Sequence, residues 1–165
     1  MGLAAALWGY VGIFVLFGSA IVRLFDVVLQ GLQAPLAWYH WVALAFSLGF
    51  MGFAEGYRGF QKAFSPRVAA RLFHLSKAPT FLHTLLAPLF AMGFFHTTRR
   101  RQITSFVLVV GIFLLVQLVH LLPQPWRGIV DAGVVLGLVW GLVSLSLFSA
   151  QAWLKGECKH SPELP

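Results

Sequence analysis

Five stretches of this chain run without a single Asp, Glu, Lys or Arg: 3–22, 30–54, 78–98, 102–126 and 132–154. Four of them supply comfortably the uninterrupted apolar length with which a helix crosses the hydrocarbon of a bilayer, about 20 residues and at least about 17. A chain of 165 residues that is 59% hydrophobic and only 10% charged cannot hide that much apolar surface in a core of its own. Lipid has to cover the rest. The expectation is an all-α, polytopic transmembrane bundle forming one integral-membrane domain over residues 1–165, with no room for a separate soluble domain.

The stretch 78–98 is the weak one. It contains Pro79, His83, Pro88 and His96, and its apolar centre from 81 to 95 is short for a span. The basic residues arbitrate. With five spans, Arg58, Lys62, Arg67, Arg71, Lys77 and Arg127 fall on one side, and Arg23, Arg99, Arg100, Arg101, Lys155 and Lys159 on the other, which is no bias. With four spans, ten of the twelve Lys and Arg share one side and only Arg23 and Arg127 oppose them. Cationic loops are held on the cytoplasmic face during insertion. Four spans are therefore expected, near 3–25, 35–55, 103–122 and 129–154, with a cytoplasmic insert at 56–102 and both termini cytoplasmic. Trp38, Trp41 and Trp126 then fall at the outer interface and Trp8 and Trp153 near the inner one, the depth tryptophan prefers. The N-terminal apolar run lacks a basic n-region and is too long for a signal-peptide core, so it reads as the first span. The localisation expected is a multi-pass protein of a bacterial inner membrane.

Within the insert, Ser65-Pro66 has the form of an N-cap followed by proline at the first helical position. Arg67, Arg71 and His74 then make one stripe and Val68, Leu72 and Leu75 another, the pattern of an amphipathic helix in the headgroup plane. The following segment, 78–98, reads as two apolar halves separated at Pro88. It suits a re-entrant hairpin if the bundle shields its broken backbone.

Candidate sites follow from residue type and spacing. Gly133, Gly137 and Gly141 lie four apart in the last span and form a small-residue face for close helix approach, within the bundle or toward another subunit. Arg23 with Asp26, and Arg127 with Asp131, are spaced to pair along their own helices or to exchange partners as an outer charge network. Glu55 stands where the second span ends; it can pair with Arg58, or serve as a functional carboxylate beside apolar surface. Arg67, Arg71, Arg99, Arg100 and Arg101 are candidates for binding a lipid or phosphate anion, because the guanidinium fork matches phosphate oxygens. His40 and His120, at similar depth on two spans, are the candidates for axial haem ligation, though each lies among interfacial residues. His74, His83 and His96 lack metal-site spacing, and no cofactor is expected.

The net charge of +7 belongs to residues that flank apolar segments, so anionic headgroups are the expected partner rather than nucleic acid. A homo-oligomer or a membrane-protein partner is the other expected contact. The single cysteine, Cys158, leaves no internal disulfide. With no nucleotide loop, nucleophile elbow or CxxC, the reading leans away from an enzyme and toward a non-catalytic accessory or scaffold subunit. The alternatives are an oligomeric transporter or channel using 78–98 as a re-entrant element, an enzyme acting on a phosphate-bearing lipid, and a bis-histidine haem protein.

Overall fold

The computed structural model describes residues 2–158 and 160–162, together with all side chains in that range except those of Arg101 and Leu108. Its described residues form helices and connecting turns, without strands. The order is α1 (Gly2–Gln33), α2 (Trp38–Met51), a π-helical segment (Gly52–Phe64), α3 (Ser65–Lys77), two short helices α4 (Phe81–Leu85) and α5 (Ala87–Ala91), α6 (Arg99–His120) and α7 (Trp126–Lys155). Three helices are long and apolar enough to cross a membrane: α1, α7, and α6 from Gln102 onward.

The expected second span takes an unexpected form. α2 has 14 residues, about 21 Å of α-helix and short of a hydrocarbon core of about 30 Å. The chain does not stop there. Gly52 (φ −57°, ψ −41°) and Ser65 (φ −60°, ψ −41°) are both helical, so α2, the π segment and α3 form one uninterrupted rod. Ser65 is therefore not the N-cap of a new helix. Its N–H reaches the carbonyl of Phe60, five residues back. Proline at 66 accounts for the last of these widened turns, since it lacks an N–H and its ring crowds the carbonyl four residues earlier, at Lys62.

The rod runs antiparallel to α1. Phe17 packs on Phe60 and Phe64, and Gly9 faces Leu72. α7 completes the core, antiparallel to α1 and parallel to the rod. Tyr10 donates a hydrogen bond to Ser146 (3.0 Å) near one end of this bundle. At the other end α1 and α7 cross so closely that a Cβ on Gly31 would lie 2.9 Å from the Gly128 Cα. The buried centre comprises Ile13, Val68, Ala69, Leu72, Ala91 and Leu145.

This arrangement corrects the expected headgroup-plane helix. α3 is a length of the bundle, with Val68, Ala69, Ala70, Leu72 and Leu75 buried. Ala69 and Ala70, together with Gly9 across the interface, are small enough to let it lie flush against its neighbours. The 78–98 segment folds back over the same end. α5 sits on α1, where Ala87 approaches Gly9 and Phe90 is fully buried. The indole N–H of Trp8 donates to the carbonyl of Leu85 (3.4 Å).

α6 is different. From Phe106 to Leu118 every residue whose side chain is described is exposed. It is joined to the rest mainly through its ends, by Gln102, Ser105 and Phe106 near the insert and by buried Val119 before the turn into α7.

Candidate functional site

The polar residue most enclosed by the fold's irregular backbone is Arg71, at 3% exposure. α3 aims its guanidinium at the place where the chain leaves helical geometry. Nε donates to the carbonyl of Phe90 (2.7 Å), and Nη2 to those of Phe95 (3.0 Å) and His96 (2.9 Å). Nη1 donates to the carbonyl of Pro162 (3.0 Å), which ties down the C-terminal tail. The guanidinium carbon also stands 4.2 Å from the centroid of the Phe90 ring. His96 has φ +47°, a left-handed conformation that is uncommon outside glycine. The bond from Arg71 to its carbonyl helps to hold it there. Buried backbone carbonyls need donors, and one arginine supplies four.

The sequence grouped Arg71 with Arg67, Arg99, Arg100 and Arg101 as one anion clamp. The structure separates them. Arg71 is inside and engaged by carbonyls, whereas Arg99 and Arg100 are exposed at the start of α6. Arg67 is partly buried on α3, and the side chain of Arg101 lies outside the described residues.

A histidine pair adjoins the Arg71 cluster. His83 stacks on Phe90, with ring centroids 4.3 Å apart, and meets His96 edge-on at 4.6 Å. Desolvation, then the positive fields of His96, Arg71 and His74, hold the His83 imidazole below the ordinary histidine pKa.

The glycine face of α7 is turned inward. Cβ atoms placed on Gly133, Gly137 and Gly141 would crowd Ser47 and Met51, Glu55, and Phe60 respectively. The partner positions advance by four and then five residues while α7 advances by four, so the π segment keeps the two rods in register. Ser65 extends the seam, with its Oγ 2.9 Å from the Ser144 Oγ and donating to the Gly141 carbonyl (3.3 Å). Trp140 packs over Gly56 and donates to Gln61 Oε1 (2.8 Å). The Ser65–Ser144 and Gln61–Trp140 pins escaped the sequence reading. A usable signal existed: Ser144, Ser149 and Ala152 continue the small-residue face of the three glycines, and all are buried.

Glu55 is half-buried against Gly137, and no ion pair joins it to Arg58 among the described residues. In the outer charge set, Arg127 Nε lies 3.9 Å from Asp131 Oδ2 within α7. Arg23 and Asp26 are exposed on α1, and the exchange between helices does not form among the described residues. Gln124 bridges the two helices instead, donating to the Val27 carbonyl (3.2 Å) and accepting from the Gly128 N–H (3.1 Å).

The structure does not bring the two haem-ligand candidates into contact. Buried His40 uses Nδ1 to accept the Ala37 N–H (3.0 Å) at the start of α2 and packs edge-on against Trp126. His120 is exposed, with Nδ1 2.8 Å from the Val116 carbonyl. Among the described residues no group of three or more His, Cys, Asp or Glu is disposed to hold a metal ion. Comparison with protein-family models, curated proteins and solved structures gives no match.

Proposed function

We propose that this chain is a four-span membrane protein acting as a non-catalytic scaffold or accessory subunit, with both termini on the cytoplasmic side of a bacterial inner membrane. The observation that carries the reading is the engagement of Arg71 by four backbone carbonyls. A buried cation placed to receive substrate would keep donors turned toward a cavity. This one braces the insert and the tail against the bundle. The seam between the rod and α7 supports the same reading, since its glycines and serines build a rigid interface within one chain.

Four spans are supported by the continuity of the rod. The charge-free part of α2 and the first π turns, 38–54, supplies about 25 Å of helix before Glu55. Arg58 and Lys62 are exposed and long enough to reach the headgroups from just inside the membrane. The ten-to-two distribution of cations supports the orientation. The insert fits a re-entrant element, because α1 and α3 cover its broken backbone.

Mass spectrometry of the protein purified at native abundance in a lipid-preserving detergent tests the role. A stoichiometric membrane-protein partner is the expected result. A homo-oligomer carrying only lipid would count against the subunit reading and favour transport. Cys158, the single cysteine, tests orientation: it should react with an impermeant maleimide only after the cytoplasmic face is opened. Labelling from the outside of intact cells would refute the proposed topology.

A further inference from the structure

The first turns of α6 combine a cationic rim with an apolar floor. Arg99, Gln102, Ile103, Phe106 and Val107 line a shallow, open groove along one face of α6. Gln102 is held there by its Nε2 donating to the Phe94 carbonyl (3.1 Å), and Phe106 by an edge-on contact with Phe94 at 5.5 Å. The groove wall is therefore fixed to the insert. Beyond it, the described side chains of 106–118 are exposed around the whole circumference of the helix. A Cβ on Gly111 would meet nothing within 4 Å. Among the described residues none fills the side of α6 that faces the bundle, and in a bilayer that space cannot be a water-filled gap between apolar walls.

We propose that this groove is a binding site for an anionic phospholipid. Arg99 and Arg100 contact the headgroup phosphate, and the acyl chains lie along Ile103, Phe106 and Val107 into the space beside α6. Charge decides the occupant. A guanidinium pairs with a phosphate oxygen in a short, charge-assisted bond, and each cation near an anionic surface contributes about 1 kcal/mol. A second copy of the chain would set one arginine rim against another, and like charges in apposition are repelled. The site rests on the reading that α6 crosses the membrane. Alkaline carbonate extraction tests that premise separately: release of the chain from membranes would remove the premise, while retention leaves the groove itself under test.

The test is native mass spectrometry of the full chain taken from bilayers containing equal amounts of phosphatidylglycerol and phosphatidylcholine. The wild type should retain phosphatidylglycerol in preference, and the Arg99→Gln/Arg100→Gln double variant should lose about fivefold or more of that preference. Arg58→Gln/Lys62→Gln removes two exposed cations of the rod that also reach the headgroups, so it controls for general surface charge and should cost clearly less of the preference than the arginine pair. Equal loss in both double variants would overturn the site and reduce the effect to general surface charge. Unchanged retention in the arginine variant would overturn it as well. So would efficient cross-linking from Val110→Cys, in a Cys158→Ser background, to a second copy or to another protein, because α6 would then be covered by protein.

Discussion

α7 and α6 are both apolar helices, yet they relate to the rest of the chain in opposite ways. α7 buries Gly133, Gly137, Gly141, Ser144 and Ser149 along one face, and the three glycines and Ser144 each meet a defined partner on the rod. α6 has no such face. Its apolar residues are bulky on all sides, and the described side chains of its middle are all exposed. Hydrophobicity therefore does not decide which helix joins the core. Inside a membrane lipid is as apolar as a leucine side chain, so association depends on close backbone approach and on interhelical hydrogen bonds. α7 has both features along its length, while α6 is pinned mainly at its ends.

The sharpest way to break this contrast is a matched pair of substitutions. Gly137→Leu would drive a side chain into Glu55 and the backbone at Gly56, so the monomer itself should lose its fold rather than merely its assembly. A loss above about 3 kcal/mol is expected, in the range of severe core disruption. Gly111→Leu on α6 meets open space and should stay within about 0.5 kcal/mol of wild type. Thermal unfolding in detergent, followed by gel filtration, reads both. Similar behaviour of the two variants would end the distinction.

Arg71→Ala is the next largest effect, because it leaves four carbonyls without their donor. Individual unsatisfied groups cost about 1–3 kcal/mol, and partial access of water limits the sum to on the order of 3 kcal/mol. The tail should also detach, so limited proteolysis should cleave beyond residue 155 faster than in wild type. Arg99→Ala should do neither. An unchanged tail in Arg71→Ala would show that the clamp is not what holds it.

Ser65→Ala and Ser144→Ala sharpen the contrast at finer scale. Each should cost about 1 kcal/mol, and the double variant should cost less than their sum because both remove the same bond. Additive losses would show that the Ser65–Ser144 bond does not couple the two helices.

The smallest effect concerns whether the insert belongs with the core or with α6. NMR titration should place His83 below the ordinary histidine value, and His96→Ala should raise it by removing a neighbouring positive field. The sign for stability follows from linkage. His83 favours its neutral form in the fold, so its contribution is complete above the unfolded pKa of about 6.5 and is lost as pH falls through the folded value. Acid should therefore loosen the insert before it affects the α1–α7 crossing, and hydrogen exchange at Phe90 and Phe95 would show it. Uniform exchange across both regions would place the insert with the rigid core.

Much of this organisation was legible in single residues. The charge-free runs marked α1, α6 and α7, and the four-residue glycine spacing marked a tight interface, because helix periodicity carries residues four apart onto one face. Pro88 and the histidines correctly flagged 78–98 as broken. Two readings went astray for one reason. Ser65-Pro66 looked like a helix start, and Arg71 looked like part of a surface stripe. Both patterns are local, and both were overridden by packing across distances in sequence that no local pattern records.

The division has a physical basis. The sequence by itself determined that the chain is helical and apolar enough for a membrane, where its charges lie, and which faces are small enough for close approach. Those properties depend on backbone hydrogen bonding, transfer from water and helical period, all readable over a few turns. Only the tertiary structure decided that the glycine face meets the rod of the same chain, that a π segment keeps the two in register, and that α6 stands apart. It also decided that Arg71 belongs to the interior. A guanidinium can reside there only when carbonyls from residues 90, 95, 96 and 162 converge on it, and that convergence exists only once the chain has folded.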